Sequence, residues 1–230
     1  MRDFALDIYH AQDSCAAIAF LGRQPDPLEA ARAYADLVSA LYWQEKDLYG
    51  VIVMARAGIQ HGLLAAAALE TEDASLAETL RGIAKGLAYD LGSFTWPGWD
   101  EPGIAIAPAH LIFGLEAAKV NLRLARELNK GDLPVARACW LLGAHHLAAG
   151  DSEAARRLFA EATDHARAAG AEEEALLGAG YQALAATLAS PTDPAGPDAL
   201  ASILAQLAAT EPGKGFAAQL KTAQRVFTRP

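Results

Sequence analysis

At 230 residues the chain is long enough for one large domain or two small ones with a buried core. Alanine dominates a hydrophobic fraction of 53%, aromatics are only 7%, and the formal net charge is −9. This balance argues against a nucleic-acid binder, which needs Lys and Arg to displace counterions, and favours helices packed through small side chains, because Ala loses no rotamer entropy in a helix.

Strand signals are nearly absent, with no Asn-Gly or Asp-Gly hairpin turn. Helical signals run from end to end. A first helix is predicted over 3–21 and is stopped by Gly22-Arg23-Gln24-Pro25. Asp26-Pro27 reads as an N-cap followed by Pro at the first helical position, opening a helix to about Trp43. A third helix covers about 46–69. Thr71-Glu72-Asp73 caps a fourth to about Leu91, with Leu76, Leu80, Ile83 and Leu87 on one stripe. Residues 92–103 hold two prolines and three glycines beyond Leu91 and read as irregular. Helices then follow over about 107–128, 132–149, 152–169 and 171–189. A Pro-rich loop over 190–197 precedes the last two, 198–209 and 214–227.

The expectation is an all-α protein of about ten helices. Short connections force neighbours to lie antiparallel, and repeated helix–break–helix units point to a solenoid rather than a closed bundle. The irregular stretch divides the chain into an N-terminal helical region, 1–104, and a helical repeat region, 105–230, closed by a capping helix. Pairing two with three, four with five, six with seven and eight with nine leaves the tenth helix as the cap.

Within the second region the spacing is informative. Cys139-x-x-Leu142-Gly143-x-x-His146 is followed by Gly150-Asp151 and then Ala155-x-x-x-Phe159-x-x-Ala162. Leu177-Gly178-x-x-Tyr181 begins a second unit 35 residues after the first. This pattern resembles the tetratricopeptide repeat (TPR) family, most clearly over 139–181, although Cys139 and His146 replace aromatics and Arg167 replaces a proline. The resemblance implies antiparallel helix pairs stacked as a right-handed superhelix. It also implies that Gly143 and Ala155 let the two helix backbones of a pair approach, and that Leu142, Phe159 and Ala162 fill the interface with the next pair. It places Arg137, Trp140, Ala144, Leu147, Ala148, Ala175, Ala179 and Gln182 on a concave surface. Some members grip a partner's terminal carboxylate with Lys and Asn there. Trp140 and Ala144 stand at those positions here, which suits an apolar or aromatic anchor, or the chain's own last helix through Phe216, Leu220 and Phe227.

Two further features are candidates for a site. Trp96-Pro97-Gly98-Trp99-Asp100-Glu101-Pro102 places two indoles beside two carboxylates. It reads either as a plug over the end of the helical core or as a binding edge, since indole faces attract cations. The expected arrangement has Trp96 packed under the helix over 107–128 and Trp99 partly exposed. Any buried carboxylate is expected to pair with Arg123 or Arg126. Lys119, Arg123 and Arg126 form a basic stripe, flanked by Glu116 and Glu127 and joined by Arg137. It reads as a solvated face with intrahelical pairs or as a contact for an acidic partner.

The histidines do not assemble a site in the sequence. His145 and His146 point about 100° apart on a helix, which suits one metal ion poorly, and His146 is expected in the core. His165 has no carboxylate at a ligand spacing. His61, His110 and the Ser14-Cys15 pair beside His10 lack a catalytic context, and Gly178-Ala179-Gly180 is not a phosphate loop. Two distant cysteines, Cys15 and Cys139, do not make a disulfide scaffold. The acidic start and the Ala/Gly-rich character of 175–192 point away from a leader or a membrane span, hence to a cytoplasmic protein.

The leading reading is a noncatalytic TPR-like scaffold that binds a protein or peptide, with no cofactor, metal, nucleic acid or membrane partner. The alternatives are a small-molecule sensor or enzyme with a pocket near 96–101, and a structural homo-oligomer.

Overall fold

The structure, a computed structural model, describes residues 1–229, and among them every regular element is helical. Eleven α-helices pack in consecutive neighbouring pairs, as an all-α helical-repeat fold requires. The chain divides into two compact units, the first ending at Thr95 and the second beginning at Trp96.

The first unit holds α1 (Arg2–Ala11), α2 (Ser14–Gly22), α3 (Pro27–Trp43), α4 (Leu48–Leu69) and α5 (Ala74–Phe94). The single helix predicted over 3–21 is two helices. Asp13 turns extended and accepts a hydrogen bond from the Ala16 N–H, so it caps a new helix instead of continuing the old one. Asp26 and Asp73 cap α3 and α5 in the same way, as their spacing predicts. Asp47 caps α4 through the Gly50 N–H at 2.9 Å and also receives the Tyr9 hydroxyl, tying α1 to the start of α4. Ala31, Ala66, Ala77 and Leu80 form a fully buried cluster where α3, α4 and α5 meet. α5 packs on α4 and α3.

α4 is the one described helix long and apolar enough to cross a membrane, with a mean hydropathy of 1.4. Val51, Met54, Ala55 and Ala66 of α4 are fully buried.

The second unit holds a 3-10 turn (Pro97–Trp99), then α6 (Pro108–Leu128), α7 (Asp132–Ala148), α8 (Ser152–Ala168), α9 (Glu172–Ala189), α10 (Ala195–Ala208) and α11 (Glu211–Phe227). α6 packs on α7, α7 on α8, α8 on α9 and α9 on α10, with α11 against α10 and α9. Gly150 adopts a positive φ of 80° at the α7–α8 turn, and Asp151 accepts from the Ala154 N–H, as the repeat pattern predicts. Two helices begin earlier than expected. Asp193 accepts from the Ala195 N–H, so α10 starts inside the predicted loop. Thr210 caps α11 through Gly213, with Pro212 in the first turn. Proline lacks only an N–H that the first turn leaves unbonded anyway, so these prolines open helices rather than interrupt them.

Candidate functional site

The stretch 92–103 is more ordered than its composition predicts. α5 continues through Phe94, and Trp96 is extended, as a residue before proline prefers. Trp96 is 1% exposed. Its indole N–H donates to the Ala144 carbonyl at 2.9 Å. Its ring lies 5.2 Å from Trp99, 5.5 Å from Trp140, 5.9 Å from Tyr181 and 5.9 Å from Phe227, mostly edge to face. Trp96 is therefore packed among α7, α9 and α11, not under α6 as expected. Gly98 is required by this arrangement, since a Cβ there would lie 2.2 Å from the Trp96 ring. Trp99 is half-buried beside Trp140.

Asp100 adopts φ 50° and accepts from Arg225 at 2.7 Å and Arg229 at 3.3 Å. Glu101 beside it is half-buried. The expected partners of a carboxylate here, Arg123 and Arg126, are engaged elsewhere. Lys119 pairs with Glu116 at 2.7 Å and Arg123 with Glu127 at 2.8 Å, both within α6. Arg126 pairs with Glu161 of α8, and Arg137 reaches Glu174 of α9 at 2.6 Å. The basic stripe thus spends its charge on this chain's own carboxylates. These exposed pairs are worth little individually.

The Arg126–Glu161 pair adjoins Cys139, whose thiol burial pushes up to about 12. Cys15 is exposed. A disulfide reagent such as Ellman's is expected to titrate one thiol in the native protein and two after denaturation. Rapid release of two from the native state would show that Cys139 is not held as described.

The histidines take structural partners. His146, expected in the core, is half-buried, with Nδ1 3.3 Å from Asp151, whereas its neighbour His145 is buried. His165 Nδ1 lies 2.7 Å from Asp132, a carboxylate that linear spacing did not reveal. His110 accepts from the Ala107 N–H at 3.0 Å, and His61 Nε2 lies 3.1 Å from the Pro27 carbonyl oxygen. Among the described residues no three His, Cys, Asp or Glu side chains converge to hold a metal ion.

The implied concave surface is divided in its fate. Around Trp140 and Ala144 it is filled by the chain's own Trp96, with Phe227 against it. Leu220 of α11 likewise covers Gly180, where a Cβ would lie 2.4 Å from it. Around Ala179 and Gln182 a cleft of about 440 Å³ remains. Its floor is a stripe of α9, Ala179, Gln182, Ala186 and Ser190, at helical spacing. Ala199 of α10 lines one side and Arg156 of α8 another, with Asp193 in the connection. Arg156 and Asp193 carried no signal in the sequence beyond their charge, because the cleft exists only once three helices have packed.

No model of a known protein family, no curated protein and no solved structure matches the chain.

Proposed function

We propose that the chain is a noncatalytic helical-repeat scaffold that binds a segment of a protein partner, acting as a soluble, cytoplasmic protein. The observation that carries this reading is the cleft along α9. It lies at Ala179 and Gln182, positions that the repeat pattern assigns to a partner-facing surface. The stripe spans about 16 Å at 1.5 Å per residue, which matches roughly five residues of extended chain. Small side chains on the floor bring a bound segment close to the helix and leave its own side chains to set specificity.

The test is selection from a phage-displayed library of random twelve-residue peptides. Enriched peptides are expected to bind the purified protein and to lose at least tenfold in affinity to Ala186→Trp, which fills the cleft from a half-buried position. The thermal midpoint of that variant should stay near the parent's. No enrichment over a bait-free control, or binders indifferent to Ala186→Trp, would sink the reading.

A further inference from the structure

We propose that the cleft along α9 takes a segment of small apolar residues carrying one Asp or Glu side chain, which pairs with Arg156. This rests on the scaffold reading and names the chemistry of its partner. Arg156 is exposed at the cleft. On the same helix Arg157 pairs with Glu153 and Arg167 with Asp164, whereas Arg156 has no carboxylate partner among the described residues. Arg156 thus brings an unpaired guanidinium to the cleft. Its planar fork of donors matches a carboxylate.

The position of Arg156 along the cleft selects a side chain rather than a chain terminus. A Cβ built on Gly178 would lie 2.6 Å from Thr163 Oγ1 and 3.3 Å from the Phe159 carbonyl oxygen, so Gly178 is level with 159–163. Because α8 and α9 run antiparallel across a short turn, Arg156 is level with about 182–185. The α9 stripe extends beyond that level in both directions, to Ala179 and to Ser190. A segment lying along it therefore presents a mid-segment residue to Arg156. Asp193, the other charge lining the cleft, lies past the Ser190 end, and its carboxylate already accepts the Ala195 N–H at 3.0 Å. It disfavours an acid at that end and leaves the middle position to Arg156.

The experiment repeats the library selection with the wild-type chain and with Arg156→Glu. Wild-type binders are expected to be enriched in Asp or Glu at an internal position flanked by Ala, Gly, Ser or Val. Arg156→Glu should shift that position to Lys or Arg. A synthetic wild-type binder with its acid changed to Gln should bind about fivefold more weakly, and Arg156→Gln should abolish that difference. Amidating the peptide's C-terminus should change nothing. Binders that compete for the cleft but show equal affinity for the acid and Gln forms overturn this inference and leave the scaffold reading standing. Loss of binding on amidation assigns the carboxylate to a terminus and overturns it too. An absence of binders to either protein overturns both.

Discussion

Gly143→Leu is expected to destabilise the second unit by about 1–3 kcal/mol or more, the range for overpacking a filled helix interface. A Cβ on Gly143 would lie 2.9 Å and 3.0 Å from the Phe159 ring and 3.2 Å from Leu158 Cβ. The ring has little room to retreat, because Phe159 is fully buried and packs 5.3 Å from Tyr181. Replacing Gly inside a helix ordinarily gains about 0.5–1 kcal/mol of backbone entropy. Gly143→Ala therefore sets that gain against the smaller clash, and Gly143→Leu adds a branched side chain to the same contact. Gly86 in α5, where a Cβ meets nothing within 4 Å, provides the calibration. Gly86→Ala should stabilise while Gly143→Leu lowers the urea midpoint. An unchanged midpoint for Gly143→Leu would mean that α7 does not meet α8 at this residue.

That Gly143 faces a neighbouring helix was legible in the sequence, because such an approach is local and small-residue driven; that Phe159 is the residue it meets was not, since the repeat pattern assigns Phe159 to the interface with the next pair. Gly143 and Phe159 lie on the two helices of one pair, and the tight turn at Gly150-Asp151 fixes their relative position. The caps at Asp26, Asp73 and Asp151 were legible for the same reason, since an N-cap acts within three residues of itself. What escaped the sequence is long-range. Asp100 finds Arg225 and Arg229 at the far end of the chain, while Arg123 and Arg126, nearer in sequence, are taken by Glu127 and Glu161. Periodicity could not choose among these carboxylates, because all of them lie on solvated faces. The Pro-rich composition of 190–197 reads as loop throughout for a different reason. Composition alone does not separate a proline that ends a helix from one in a first turn. Local hydrogen bonds make that distinction: Asp193, just ahead of the Pro194 N-cap, accepts the Ala195 N–H, and Thr210 caps α11. The cleft beside Arg156 depends on the approach of α8, α9 and α10 together, and no stretch of sequence carries it by itself.

Trp96→Ala is expected to give the largest single loss, about 3–5 kcal/mol, the range for truncating a fully buried aromatic. Three effects add. The indole fills the space among Trp140, Tyr181 and Phe227 and leaves a cavity when removed. Its N–H satisfies a buried carbonyl at Ala144, which then loses that partner. Gly98, held against the Trp96 ring, loses the surface that shapes the 3-10 turn. Trp96→Phe separates the terms, since it keeps most of the ring contacts and removes only the donor; its loss should be well under that of Ala. Trp99→Ala should cost less than Trp96→Ala because Trp99 is only half-buried. Fluorescence gives an independent reading. A variant retaining Trp96 alone should emit at short wavelength and resist acrylamide, and one retaining Trp99 alone should be partly quenched. If Trp96→Ala melts with the parent, or Trp96 alone emits as a solvated indole, the turn does not plug this end of the second unit.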